Sequence, residues 1–148
     1  MNTVNSKDLD RLNSFLRGEI SAVETYRIAI DKLDKGSSAR SELETCRASH
    51  QRRVDILRST ILSNGGEPAD GSGPWGVLTK AIEGGATVFG DKAAIAALEQ
   101  GEDHGLADYL ADCDKVEGAA HELVMNKLLP AQEETHQTLS ALKKRFQS

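Results

Sequence analysis

Leu9, Leu12, Leu16, Val23, Tyr26, Ile30 and Leu33 recur at steps of three and four, and Glu19 fills the one gap in the series. That period is one face of an α-helix. It predicts a helix over about 7–35, with Ser6 as N-cap, Asp8 in the first turn and Gly36 as the stop. A second stripe, Leu43, Arg47, His50, Val54, Leu57 and Ile61, predicts a helix over about 38–63, ended by Asn64-Gly65-Gly66. Only two or three residues separate the two helices, so they should be antiparallel neighbours. Ile95, Leu98, Glu102, Gly105 and Tyr109 predict a third helix over about 91–112, with Asp91 as its cap. The fourth spans about 116–146 and carries Leu129, Glu133, His136 and Leu139 at helical spacing. Pro130 lies inside it and should kink or break it near Asn126, whose carbonyl loses its donor.

The residues between the second and third helices follow another pattern. Eight of the 13 glycines and two of the three prolines lie between Asn64 and Gly90. The apolar stretch Trp75–Val88 predicts one short helix there, with Trp75 anchoring it against the bundle. The second helix should be about 39 Å long at ~1.5 Å per residue. The segment 64–90 is long enough to return along it, as a crossover rather than a tight turn. The chain therefore reads as a single all-α domain over 1–148, a four-helix bundle with a long crossover between helices two and three.

The two halves repeat one another. Gly18-Glu19 is followed by Tyr26, and Gly101-Glu102 by Tyr109, each tyrosine seven residues after its glutamate. His50 follows Glu19 by 31 residues and His136 follows Glu102 by 34. Each half is thus a helix with an inward Glu followed by a helix with an inward His. His104 and His121 fall off these faces and read as surface residues.

Composition narrows the function. The 148 residues are 39% hydrophobic but only 4% aromatic, few for a β-sandwich or barrel. A formal charge of −5 argues against non-specific nucleic-acid binding, which needs a basic footprint. No apolar run approaches the roughly 18–20 residues needed to span a bilayer, and Met1–Asp10 lacks the apolar core of a signal peptide. Two cysteines, Cys46 and Cys113, form no disulfide framework. The expectation is a cytoplasmic protein, without membrane or nucleic-acid partners and with homodimers or small homo-oligomers as its assemblies.

Three glutamates on buried stripes would repel one another, and an isolated buried carboxylate is costly. A divalent cation would relieve both. Mixed oxygen and nitrogen donors suit Fe, Mn or Zn. Two helix pairs, each with a Glu and then a Glu-x-x-His, form the di-metal carboxylate pattern of four-helix bundles. Gly18-Glu19 through Tyr26 resembles the first metal helix of rubrerythrins. Gly101-Glu102 through Tyr109 resembles the third, and Glu133-Glu134-Thr135-His136 the fourth. With the Asn64-Gly-Gly-Glu-Pro68 linker, most of the chain is similar to a bacterial ferritin-like family of unknown function. The resemblance implies a ferritin-like fold and candidate metal ligands Glu19, His50, Glu102, Glu133 and His136, with Tyr26 and Tyr109 around them. It implies iron-dependent oxidation or metal handling.

Arg47 departs from that pattern, standing where a bridging glutamate belongs. Gly105 lies where rubrerythrins often carry a further Glu. Three carboxylates and one arginine suit one divalent ion rather than two, held by Glu102, Glu133 and His136. They equally suit none, with Arg47 forking onto Glu19 or Glu133 in a buried ion cluster. Glu44 and Cys46 lie off the main stripe and carry little weight as replacement ligands. Two readings follow: a metal-binding ferritin-like protein with a mononuclear or incomplete dinuclear site, or a non-enzymatic, metal-free helical module with a stress-related or scaffold role.

Overall fold

The computed structural model describes residues 4–71 and 90–147, and every regular element among them is helical. The first helix, α1, spans Ser6–Asp31 and the second, α2, spans Arg40–Ser63. The third, α3, spans Asp91–Asp112 and runs into a single 3₁₀ turn at Cys113–Lys115. A short helix α4, Gly118–Leu123, passes through a π-helical turn at Val124–Leu128 into α5, Leu129–Gln147. The expected helix within 75–88 and the path of the crossover lie outside the described residues.

Local chemistry sets the ends. Asn5, not Ser6, caps α1: its backbone is extended and its side chain accepts from the Asp8 amide at 2.8 Å. α1 stops at Asp31, short of residue 35. Gly36, at φ +81°, makes the turn toward α2, a conformation that side chains with a Cβ avoid. Asp91 reaches back to this turn, accepting from the Asp34 amide at 2.9 Å and the Ser37 hydroxyl at 2.6 Å. It is the first residue of α3 and Gly90 precedes it as the cap.

The π turn sits where Pro130 requires it. Proline has no N–H to give to the Asn126 carbonyl. The Leu129 amide bonds instead to the carbonyl of Val124, five residues back. The wider turn keeps Ala120, Val124, Leu128 and Gln132 buried although they are spaced by fours. Thr135, Leu139 and Leu142 continue the buried face.

α1 packs along both α2 and α3, and α5 packs along α3 and less extensively along α2. α1 and α3 are antiparallel. Asp34 meets Asp91 at one end, Tyr26 meets Glu102 and Tyr109 meets Glu19 midway, and Asp8 meets the Glu117 amide at the other end. Since α1 is also antiparallel to α2, α2 and α3 run in the same direction. Asn64, at the end of α2, accordingly lies beside the start of α1, accepting from the Val4 amide at 3.0 Å.

Two apolar clusters fill the bundle. One contains Ile30, Leu33, Leu43, Ile95, Leu98, Leu139 and Leu142. The other contains Leu12, Phe15, Leu16, Leu57, Ile61, Val124 and Leu128. Each fully buried aliphatic side chain in them contributes roughly 1.5–3 kcal/mol. A layer of polar side chains lies between the two clusters.

Candidate functional site

The polar layer is built from two residues of each long helix. α1 contributes Glu19 and Tyr26, α2 His50 and Arg53, α3 Glu102 and Tyr109, and α5 Gln132 and Thr135. All eight are at most 3% exposed. His50 stands at the centre, with Nδ1 2.5 Å from Glu19 Oε1 and Nε2 2.7 Å from Glu102 Oε2. The tyrosines close the ends crosswise: Tyr26 of α1 donates to Glu102 of α3, and Tyr109 of α3 donates to Glu19 of α1, both at 2.5 Å.

Arg53 joins this chain from the side, and each of its five N–H groups has an acceptor. Nη1 donates to Glu19 Oε2 at 3.2 Å and to Gln132 Oε1 at 2.5 Å. Nη2 donates to Ser49 Oγ and to Thr135 Oγ1, both at 3.1 Å. Nε donates to the Ser49 carbonyl at 3.4 Å. Gln132 and Thr135 relay the arginine to the second carboxylate, donating to Glu102 Oε1 at 2.9 and 2.8 Å. Among the described residues no buried side-chain nitrogen or oxygen lacks a hydrogen-bond partner.

The geometry fixes the charges. Both His50 nitrogens face carboxylate oxygens, and ionised carboxylates only accept, so both nitrogens carry hydrogen and the ring is imidazolium. Burial and the nearby Arg53 charge work against that form, but Glu102 and Glu19 outweigh them and raise the His50 pKa. Burial opposes the Glu19 carboxylate too, yet Arg53 and His50, with bonds from His50 and Tyr109, hold it at about 2. Glu102 is lowered likewise against burial, by His50 first and by the Tyr26 bond. Burial and the adjacent carboxylates push both tyrosines well above 10 and keep them neutral. At neutral pH the layer therefore holds two anions and two cations.

Of the candidate ligands, Glu19, His50 and Glu102 come together; Glu133 and His136 do not join them. Glu133 is exposed. His136 is turned outward, its Nε2 2.5 Å from Asp103 Oδ1. Glu99 adds a further carboxylate to this surface pair, while the Lys143 ammonium lies 3.4 Å from Glu99. The inward face of α5 is one residue out of phase with the expected stripe, since successive helical residues point about 100° apart. Gln132 and Thr135 thus take the places expected for Glu133 and His136.

A similar shift corrects Arg47. It is over a third exposed and paired with Glu44 at 3.0 Å. Both Arg47 and Arg53 lie three residues from His50, on opposite sides, and the bundle buries the later one. Cys46 takes the inward place beside Leu43, its thiol pushed up to about 12 by burial and by Glu102. Arg53, Gln132 and Thr135 were not legible as site residues from apolar spacing. Their signal is complementary: an arginine near a helix seam, with Ser49, Gln132 and Thr135 at hand as neutral acceptors.

A cavity of about 300 Å³ opens between α1 and α3 down to this layer. Glu19 and His50 lie among its lining residues, Phe15 and Tyr109 line it with their rings 4.6 Å apart, and Gly18 and Gly105 add no side chains. Gly105 is glycine for a reason of space: a Cβ there would come within 2.9 Å of Gln132 Nε2.

Helices packed around a buried ion network place the chain among all-α bundles with a polar core. Residues 7–115 match the family described as a domain of unknown function, DUF2383, and the chain belongs to that family. Neither the curated proteins nor the solved structures provide a match.

Proposed function

We propose that the chain is a ferritin-like bundle without a core metal, a non-enzymatic helical scaffold in which Arg53 and the His50 imidazolium do the charge-balancing work of a divalent cation. Two features support descent from a ferritin-like bundle: the glutamate–tyrosine pairs repeated on α1 and α3, and the parallel run of α2 and α3.

The observation that carries the metal-free reading is the double engagement of His50, with a carboxylate on each ring nitrogen. An imidazolium has no lone pair for a metal. To ligate one, His50 must lose a proton and a carboxylate contact while the guanidinium remains 3.2 Å from Glu19. Two carboxylates, Arg53 and one divalent ion then sum to an excess positive charge in a buried layer. The donor set does not suit a di-iron, di-manganese or zinc centre. Gln132 and Thr135, where the resemblance expects Glu133 and His136, are uncharged.

Elemental analysis of protein purified without chelator tests this reading. The expected result is less than a tenth of an equivalent of Fe, Mn or Zn in the core, and a melting temperature unchanged by EDTA. Stoichiometric metal that disappears in Glu102→Ala but persists in His136→Ala would overturn it. Metal that follows His136 and Asp103 instead would place an ion on the surface and leave the core reading standing.

A further inference from the structure

We infer that the cavity between α1 and α3 is a binding site for a small organic ammonium ion, a primary amine with a short apolar body. This rests on reading the core as a metal-free cluster, because Glu19 then serves as an acceptor rather than a ligand.

A carboxylate offers about four lone-pair positions. Glu102 uses four: Gln132 and Thr135 on Oε1, His50 and Tyr26 on Oε2. Glu19 uses three: His50 on Oε1, with Arg53 and Tyr109 on Oε2. Oε1 keeps one acceptor position, and Glu19 is one of the residues lining the cavity. A ligand meeting that position must bring an N–H or O–H donor.

The lining selects the donor's charge. Asp108 and Asp112 stand among the cavity residues. Burial and the neighbouring Asp112 raise the Asp108 pKa, against the pull of His104 3.4 Å away, so added positive charge is favoured there. Arg11 and Lys115 approach Asp112 at 3.6 and 3.4 Å but are not among the lining residues. An anion would meet Glu19, Asp108 and Asp112, and the cation in the lining, the His50 imidazolium, is already engaged by a carboxylate on each ring nitrogen, while His104 faces Asp108. The Phe15 and Tyr109 rings and Ala22 supply an apolar wall for a short hydrocarbon body, and an aromatic face adds cation–π attraction.

The space is made by glycine. A Cβ on Gly18 would touch nothing within 4 Å. A larger side chain there should fill the cavity without displacing the bundle.

The probe is n-butylamine, with n-butanol and butyrate as its neutral and anionic counterparts, titrated at pH 7 into chelator-washed full-length protein. Backbone amide NMR is the readout. The expected result is a saturable shift of the Gly18 and Gly105 amides with the amine, at least tenfold weaker with butanol and absent with butyrate. Asp108→Asn should weaken amine binding about tenfold, and Gly18→Leu should abolish it while leaving the Tyr26 and His50 resonances in place. No saturable shift, or equal response to amine and butyrate, would overturn the inference. Metal content measured on untreated protein separates the two failures. Metal-free protein that ignores the amine sinks only the ligand site, whereas core metal sinks the reading beneath it.

Discussion

Arg53→Met removes the guanidinium while keeping an unbranched apolar stem of similar reach. Five hydrogen bonds go with it. Glu19 keeps His50 and Tyr109, but two carboxylates then face one imidazolium, and the layer holds an uncompensated negative charge. Gln132 Oε1 also loses its donor at a site 1% exposed. Breaking one side of a buried pair costs about 3–5 kcal/mol, out of a total near 5–15 kcal/mol for a domain. At roughly 2–4 °C per kcal/mol, the melting temperature should fall by about 6–20 °C. Urea unfolding followed by circular dichroism measures the loss, with an unchanged slope showing that the same surface unfolds. Arg47→Met is the control and should stay within about 0.5 kcal/mol, because its partner is solvent-exposed. Adding Glu19→Gln to Arg53→Met leaves Glu102 and His50 as a balanced pair. The double variant should therefore lose at least about 1 kcal/mol less than the sum of the singles. A single-variant loss below about 1 kcal/mol, or strict additivity, would refute the account of Arg53 as the core's fixed cation.

Other outcomes follow from the same layer. Glu19 titrates near 2 when folded and near 4.5 otherwise, so its contribution is complete above about 4.5 and is lost as pH falls toward about 2. His50 is raised, so its contribution is complete below about 6.5 and is lost as pH climbs through its folded value. Urea midpoints measured across pH should thus peak between about 4.5 and 6.5; a midpoint still rising from pH 6.5 to 9 would contradict the imidazolium. The two glycines that line the cavity should respond oppositely to alanine. Gly18→Ala gains up to about 1 kcal/mol of helix propensity in open space, while Gly105→Ala loses about 1–3 kcal/mol by displacing Gln132. Equal effects in thermal melts would count against the Gln132 contact. Glu133→Ala should lie within about 0.5 kcal/mol of the parent, whereas Gln132→Ala should cost about 1–3 kcal/mol. The Cys46 thiol, raised to about 12 and buried, should resist disulfide reagents at pH 8 until urea is added.

The apolar stripes together with their cap and stop residues were enough to locate α3 to the residue and α1 and α2 within a few residues, because a period of three and four sustained over several turns marks a helix whichever of two adjacent phases it follows. Pro130 likewise marked the disturbed turn, since a missing donor must be accommodated nearby. Glu19, His50, Glu102 and both tyrosines were legible because apolar neighbours bracket them on their stripes. Arg53, Gln132 and Thr135 were not. Around His50 the stripe can pass through 47 and 54 or through 46 and 53, and both routes rejoin at Leu43 and Leu57. Apolar spacing does not choose between Arg47 and Arg53; only the three-dimensional set of acceptors does. On α5 the metal-like pair Glu133 and His136 lies one residue from the true face, and Leu128–Leu129 is apolar in either phase.

The crossed tyrosines make each half of the chain the other's missing donor. Tyr26 completes the carboxylate of the second half and Tyr109 that of the first. Such an exchange has the reciprocal form of an isologous two-fold interface, in which the same contact is made twice in opposite senses. Covalent linkage turns what would be a bimolecular association of helical hairpins into an intramolecular one. Assembly of the core is thereby freed from protein concentration, and the two halves need not carry the same residues. His50 and Arg53 stand on one side and Gln132 and Thr135 on the other: a symmetric frame carrying an asymmetric charge.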